Sequence, residues 1–293
     1  MKTRLLLCLL ALVLVSCDSQ QDSGYHGVLY FGRDAYVMRF SLGDGSLSVA
    51  GRLGDTTIRD VDTFGSDYLL LTETASLNRG RVSRISWFNR KTGESADLYQ
   101  GTIALHLAQP AVVVYDDGSK LYAVPQRPNS ANQVILDHRQ NAVRYLLEAA
   151  PGILLIETGD GDEATLRSWN AGTGRLEPLD ALAATCRLQG AVWIESLQRL
   201  ACRPRGQPAD AGGYVLADLA GGVDGRLELP AGSQFLALTY VGSQQLLVLR
   251  EARRGALGGR DRHTVWAYDV RTHALHRLAE DVNIGTAVAY AEF

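Results

Sequence analysis

The sequence has almost no lysine and no long hydrophobic segment. Only Lys2, Lys91 and Lys120 are lysines, so arginine supplies most of the positive charge. Lysine and arginine together number 29 against 32 acidic residues, a balance that does not favour a nucleic-acid-binding protein. The longest apolar run spans residues 5–15, whereas a membrane-spanning helix needs about 20 apolar residues. The run is therefore too short to cross a bilayer.

The common catalytic signatures are also missing. The sequence has no GxSxG nucleophile motif, no HExxH zinc motif and no GxxxxGK phosphate-binding loop. Its four cysteines form neither a CxxC pair nor a cluster with histidine, so zinc is not indicated. The stretch GDGDE at residues 159–163 begins like a calcium loop but lacks the remaining EF-hand spacing. We accordingly predict no catalytic residue, no metal ligand and no cofactor.

The N-terminus follows the layout of a secretory signal peptide. Lys2 and Arg4 precede the apolar run, and the small residue Ser16 stands just before Cys17. The sequence LVSC at residues 14–17 resembles the bacterial lipobox, in which the cysteine is lipidated. An ordinary signal peptide is the alternative interpretation.

The lipobox resemblance implies a location and a domain organisation. Residues 1–16 would be removed, Cys17 would carry the lipid, residues 17–26 would form a polar tether, and residues 27–293 would form the folded domain. The protein would be anchored in the bacterial cell envelope and would face the periplasm. Asp18, which follows the cysteine, favours the inner membrane by resemblance to enteric lipoproteins.

Cys186 and Cys202 are the other cysteines of the predicted mature chain. Disulfides persist outside the cytoplasm, so we predict that these two residues pair. A simple hairpin that turns near residues 196–197 would place Ala191, rather than Cys186, opposite Cys202. The disulfide therefore requires the chain before residue 190 to curl back, and two buried free thiols are the alternative.

Five segments repeat one pattern, in which a strand rich in aromatic or branched residues is followed by a polar turn and a second short strand. These segments are YVMRFSLGDGSLSVAGRL, VSRISWFNRKTGESADLY, ATLRSWNAGTGRLEPL, GYVLADLAGGVDGRLEL and TVWAYDVRTHALHRL. Their turns are assigned to Gly45, Gly93, Gly174 and Gly225, and in the last segment to Thr272 and His273. A weaker copy, KLYAVPQRPNSANQVILD, lies between the second and third. Strand hairpins repeated about every 40–50 residues are typical of a β-propeller.

Two further strands precede most hairpins, which predicts an all-β propeller of six four-stranded blades. The first unit lacks an innermost strand because GVLYFG follows the tether, whereas TAVAYAEF at residues 286–293 is left over. We predict that this last strand completes blade one and closes the ring. The chain thus resembles six-bladed propellers of the TolB-like and WD40-like kind, and WAYDVRTHAL and WNAGTGRL resemble their recurrent turn. Blade boundaries between residues 100 and 150 stay open, with five or seven blades as alternatives.

Trp87, Trp169 and Trp266 occupy corresponding positions on the predicted third strands. Aromatic side chains at such positions pack between neighbouring blades, where each buries a large area. We therefore expect core packing, with ligand stacking as the alternative.

Arginine-bearing loops gather on one face of the predicted propeller. That face receives the loops into the innermost strands and the loops between second and third strands, including residues 76–81, 203–213 and 250–263. Loops on a rigid scaffold usually carry binding sites, and arginine suits carboxylates, phosphates and protein interfaces. The alternative is that these arginines only solvate the loops. The candidate binding residues are Arg59, Asp60, Asp62, His106, Arg144, Arg203, Arg205, Arg253, Arg254, Arg260 and Arg262, and the same loops carry Arg187, Gln234 and Asn283.

The sequence favours a non-catalytic binding or scaffold propeller in an envelope assembly. Its expected partners are an envelope protein and, through the lipid, the membrane, with a small ligand as a further option and no nucleic acid. One alternative is a metal-dependent hydrolase or lactonase, with Asp60 and Asp62 on one side of an innermost strand and His106 as a base. The other is a carbohydrate or small-ligand sensor at the channel mouth.

Overall fold

The computed structural model describes residues 23–77, 80–126, 131–139, 141–160, 163–207, 213–230, 233–253, 262–285 and 287–292. These residues form six antiparallel sheets of four strands each, arranged as the blades of a ring. The first strands of neighbouring blades contact one another and are therefore the innermost strands. The predicted six-bladed propeller is confirmed.

Blade one takes its innermost strand from the end of the chain, and blades two and three use strands in sequence order. Blade one contains β24 (Val288–Ala291), β1 (Val28–Arg33), β2 (Tyr36–Ser41) and β3 (Leu47–Arg52). Blade two contains β4 (Thr56–Phe64), β5 (Tyr68–Leu77), β6 (Gly80–Asn89) and β7 (Ser95–Gln100). Blade three contains β8 (Ile103–Leu107), β9 (Val112–Asp116), β10 (Lys120–Pro125) and β11 (Gln133–Asp137).

The other three blades use strands in their sequence order. Blade four contains β12 (Val143–Ala150), β13 (Ile153–Thr158), β14 (Thr165–Asn170) and β15 (Arg175–Pro178). Blade five contains β16 (Cys186–Ile194), β17 (Arg199–Pro204), β18 (Tyr214–Ala217) and β19 (Val223–Leu227). Blade six contains β20 (Gln234–Val241), β21 (Leu246–Arg253), β22 (Arg262–Asp269) and β23 (Leu275–Glu280). A short helix, α1 (Asp180–Thr185), joins blades four and five, and a 3-10 turn spans Gly242–Gln244.

The second strands are apolar on both faces because blades stack against both sides of them. All five residues of β9, for example, are buried. The described core divides into six clusters, one between each pair of neighbouring blades. This distribution explains why the second strands read as continuous apolar runs rather than as an alternating pattern.

The three recurrent tryptophans differ in what they contact. Trp169 is buried in the cluster between blades three and four, and Trp266 packs against the cluster between blades five and six. Both therefore confirm the predicted packing between blades. Trp87 is half-buried and instead meets Tyr68 of its own blade edge to face, with ring centroids 5.4 Å apart.

The ring is closed by the C-terminal strand, as predicted. β24 pairs antiparallel with β1, from Val28 opposite Ala291 to Phe31 opposite Val288. Ala289 and Ala291 then enter the core cluster shared by blades one and two.

A side-chain acceptor stabilises the recurrent outer turns. Asn89 Oδ1 accepts hydrogen bonds from the backbone of Lys91 and Thr92, and Asn170 and Asp269 act in the same way. The left-handed position of these turns belongs to Gly45, Gly93, Gly174 and His273. The assignment of Gly225 to this set was wrong. Gly225 lies within β19, and the turn uses Gly221, at φ +86°, beside an acceptor carboxylate on Asp218.

Cys186 and Cys202 form the predicted disulfide, with their Cα atoms 5.6 Å apart. The β16–β17 ladder shifts register between Arg187 and Val192, and Gly190 within this bulge has φ +67°. The bulge is the predicted curl before the hairpin, because it brings Cys186 back beside Cys202.

Candidate functional site

The propeller has two faces, which we call the top face and the bottom face. The innermost strands begin at the top face and end at the bottom face. The predicted arginine-bearing loops belong to the top face, but residues 78–79, 208–212 and 254–261 lie outside the described residues. Arg254 and Arg260 are therefore among the candidates for which the structure gives no position.

Asp60 and Asp62 lie together on β4, where they bind backbone groups. Asp60 Oδ1 accepts the Val61 N–H at 2.8 Å, and Asp62 Oδ1 accepts the Thr63 N–H at 2.7 Å. Asp62 Oδ2 accepts a third bond, from the backbone of His106 in the next blade, at 2.7 Å. These contacts make Asp62 a link between the innermost strands of blades two and three.

Burial in the channel wall alters the ionisation of both carboxyl groups. It raises the pKa of Asp60 to about 6 and that of Asp62 to about 7, each from an ordinary value of 3.8. The negative charges of Asp60 and, on β12, Glu148 raise the pKa of Asp62 further, whereas its backbone hydrogen bonds oppose the shift. Because Glu148 belongs to blade four, its influence on Asp62 indicates that both side chains face the central channel.

We expect the free energy of unfolding of Asp60→Asn, relative to that of wild type, to be higher at pH 8 than at pH 4. A carboxyl group whose pKa is raised on folding contributes stability below its ordinary pKa and loses that contribution as pH rises through the folded pKa. The relative gain should be about 1 to 2 kcal/mol, after allowance for solvent in the channel. Chemical denaturation at the two pH values measures it, and exposed Asp55→Asn serves as the control. A constant difference between Asp60→Asn and wild type would contradict the raised pKa.

His106 meets Asp62 only through its backbone. Its half-buried ring packs edge to face on Phe64, with centroids 5.3 Å apart, and burial lowers the pKa of the ring. In the part of the chain that the structure describes, no three His, Cys, Asp or Glu side chains are grouped so that they could hold a metal ion. Asp62 thus joins two innermost strands, whereas Asp60 binds its own strand, and the described groups do not form a metal-ligand set.

Several of the predicted binding arginines have partners within the chain. Arg144 pairs with Asp160, and Arg253 pairs with buried Glu251 at 2.6 Å. Arg205 donates to two backbone carbonyls, one at the end of α1 and one before β14. These contacts hold loops and strand ends of blades four to six in place.

Two further candidates are exposed to solvent. Arg59 is the extra residue of a bulge in β4 and is exposed, as is Arg262 at the start of β22. Arg187 is half-buried and lies close enough to Glu157 to lower the pKa of that carboxyl group, against the larger effect of burial. Among the described residues, neither Arg59 nor Arg262 forms a salt bridge.

A top-face cavity lies between blades four, five and six. It has a volume of about 290 Å³, and its described lining includes Arg203 on β17 and Arg250 on β21. Gln234, which the sequence analysis placed on a top-face loop, also lines it. Arg250 begins the predicted top-face loop 250–263 but was not one of the individually named candidates, and the structure places it within β21.

A larger cavity of about 450 Å³ opens on the bottom face, where the sequence analysis predicted no site. It combines aromatic and carboxylate side chains from blades four to six: Glu148, Trp193, Glu195 and Tyr240. Burial raises the pKa of Glu148, against a hydrogen bond from the Gly152 N–H. Sequence signals could not have found this cavity, because its residues come from the ends of separate strands.

Polar side chains also join neighbouring blades elsewhere. Glu157 Oε2 accepts the Leu188 N–H at 2.7 Å, and Tyr214 Oη accepts the Ala237 N–H at 2.7 Å. Like Asp62, each of these acceptors binds the innermost strand of the next blade. Polar side chains therefore join neighbouring blades at three of the six junctions.

The closed ring, the central channel and the four-stranded blades define a six-bladed β-propeller. No family model and no curated protein matches the sequence. The structure is similar to a chain of the nidogen–laminin complex, with a TM-score of 0.62, 12% identity, and coverage of 90% of this chain and 98% of that chain. It is also similar to a protein assigned as TolB in Agrobacterium tumefaciens, with a TM-score of 0.56, 12% identity and coverage of 92% and 98%.

A third similar structure is an oligogalacturonate lyase in complex with manganese. Its TM-score is 0.53 at 12% identity, and the match covers 87% of this chain and 74% of that chain. At such identities the likeness concerns the propeller fold alone. Within the described residues, no helix has the length and apolar character needed to cross a membrane.

Proposed function

We propose that this protein is a lipid-anchored binding propeller of the bacterial cell envelope, and that it holds an acidic partner protein without catalysing a reaction. The observation that carries the proposal is the positive charge of three arginines on the top face, a region that we call the top mouth. Blades two, five and six place Arg59, Arg203 and Arg250 there, and among the described residues no carboxylate forms a salt bridge with them.

The arginines of the top mouth contrast with the overall charge of the chain. The chain has a formal net charge of −3 at pH 7, so the basic top mouth is a local feature and not a property of the whole surface. A local positive field steers an acidic partner toward one face and raises the association rate. Guanidinium groups then bind carboxylates through paired N–H donors.

The membrane anchor is proposed from the LVSC motif at residues 14–17, which lies outside the described residues. A lipid on Cys17 would keep the propeller within reach of envelope proteins through a short polar tether. Asp18 supports retention in the inner membrane.

The test compares the envelope proteins that cross-link to the full-length wild-type chain with those that cross-link to the double variant Arg59→Gln/Arg262→Gln. We expect the double variant to capture several-fold less of an acidic partner, and raised salt to weaken wild-type capture in the same way, because exposed charges are screened over about 8 Å at physiological ionic strength. The matched control is Arg226→Gln/Arg277→Gln, which removes the same charge from outer strands of blades five and six. Equal capture by both double variants, with no effect of salt, would refute the proposal.

The bottom-face cavity supports a second candidate, recognition of a carbohydrate or another small ligand. Trp193 and Tyr240 offer aromatic surface, and Glu148 and Gln109 offer polar groups, in a cavity of about 450 Å³. A sugar that raises the unfolding temperature of the purified chain without any partner protein would favour this candidate over the first.

A further inference from the structure

Two guanidinium groups meet in the top-face cavity. Arg203 comes from blade five and Arg250 from blade six, and both are half-buried. Tyr145, Gln189 and Gln234 add polar groups to the same lining, and none of the described lining residues is acidic. The cavity is therefore rich in hydrogen-bond donors and has no negative charge of its own among these residues.

Backbone contacts fix both guanidinium groups. Arg203 Nη2 donates to the carbonyl of Phe235 at 2.6 Å, and Arg250 Nη1 donates to the carbonyl of Ile284 at 2.7 Å. Arg203 also lies over the ring of Tyr214, at 6.0 Å from the ring centroid. A guanidinium has five N–H donors, so each arginine is held in place while donors beyond these bonds remain.

The two positive charges are unfavourable to each other. The pKa of Arg250 lies below its ordinary value, first because of burial and second because of the positive charge of Arg203. Arg250 Nε is buried and has no hydrogen-bond partner among the described residues. Buried charges are normally paired, because an unpaired one destabilises the fold. An anion in the cavity would compensate both charges.

We propose that this cavity is a carboxylate-binding subsite, in which Arg203 and Arg250 together hold one carboxylate group. The inference rests on the proposed function, since the carboxylate is then an acidic side chain of the bound partner. At about 290 Å³ the cavity is large enough for an acidic side chain and lies near the lower end of the usual range for ligand pockets. Gln189 and Gln234 are amide donors available for further bonds to the carboxylate.

Titration of the full-length chain in detergent with glutarate, followed by ligand-observed NMR, tests the subsite. We expect glutarate to bind, and glutaramide, which has the same shape without charge, to bind far more weakly. Arg250→Gln should weaken glutarate binding by about tenfold or more, as expected for loss of a charged hydrogen-bonding partner. Arg250→Lys keeps the positive charge but lacks the paired N–H donors of a guanidinium, so it should weaken glutarate binding less than Arg250→Gln does. Arg226→Gln, on the outermost strand of blade five, is the matched control.

Three results would overturn the subsite. One is equal binding of glutarate and glutaramide, and another is unchanged glutarate affinity in Arg250→Gln with wild-type thermal stability. The third is tighter binding of inorganic phosphate than of glutarate, which would assign the cavity to phosphate groups instead. Failure of the proposed function is separable, because a chain that binds glutarate but captures no acidic partner keeps the subsite and loses the protein-binding role.

Discussion

Deletion of residues 286–293 is expected to abolish stable folding of the propeller. The deletion removes β24, so β1 keeps β2 but loses its other ladder partner, and its inner edge becomes open. Val28, Leu29, Tyr30 and Phe31 of β1 are each no more than 4% exposed in the intact protein. Exposing even a few such side chains forfeits about 1.5–3 kcal/mol each, whereas a whole domain is stable by only about 5–15 kcal/mol.

The measurements are thermal unfolding by circular dichroism and size-exclusion chromatography. We expect the deletion variant to aggregate or to unfold without a cooperative transition, because an open apolar edge pairs with other chains. Deletion of residues 292–293 alone leaves β24 in place and provides the control. A chain without residues 286–293 that remains monomeric, with an unchanged unfolding temperature, would show that the closing ladder contributes nothing to stability.

Cys17→Ser is expected to abolish lipid labelling and to leave the protein either unprocessed or soluble. Each buried methylene of an acyl chain contributes about 0.8 kcal/mol, and two or more chains give stable anchoring where a single chain gives only reversible binding. Loss of the lipid therefore removes nearly all of the proposed membrane affinity. The measurement is incorporation of a labelled fatty acid together with membrane fractionation.

Cys8→Ser is the matched control for the anchor. It changes the other cysteine of the N-terminal segment but leaves the LVSC motif intact, so labelling and fractionation should match wild type. Retention of label in Cys17→Ser would overturn the lipoprotein proposal, and an unlabelled wild-type chain would favour an ordinary signal peptide.

The fold was predictable because the strands of each blade, apart from the closing strand β24, follow one another in sequence as hairpins. Hairpins such as β22–β23 carry their own turn signal, in which Asp269 accepts backbone N–H groups and His273 takes the left-handed position. Blade three was harder to delimit, because residues 126–132 separate β10 from β11 and dilute the hairpin pattern. Closure by the last strand followed from counting, since blade one lacked one strand.

The error at Gly225 has a local physical cause. The sequence DLAGGVDG offers two turn signals, one at Asp218 with Gly221 and one at Asp224 with Gly225. The first prevails because the carboxylate of Asp218 accepts the Gly222 N–H at 2.8 Å within the turn. The sequence alone does not distinguish the two, because both are favourable hairpin turns.

The site was less predictable, because its properties depend on groups from different blades. Asp60 and Asp62 were located correctly on an innermost strand, but the hydrogen bond from the His106 N–H to Asp62 depends on the position of blade three. Arg205 was predicted as a binding residue, yet its guanidinium holds two carbonyls of other segments. Arg250 was not singled out, because its proposed role in carboxylate binding depends on Arg203, which lines the same cavity from the neighbouring blade.

The ladder between β1 and β24 also sets the order of folding events. In blades two to six, each strand pairs with a neighbour in sequence, so those hairpins close short loops and form early. The β1–β24 ladder joins the two ends of the described chain, and loop-closure entropy delays it until the other blades have assembled. We therefore expect folding to pass through an open intermediate in which β1 is an unpaired edge strand. Refolding yield should then fall as protein concentration rises, because intramolecular closure competes with pairing between chains during the lifetime of that intermediate.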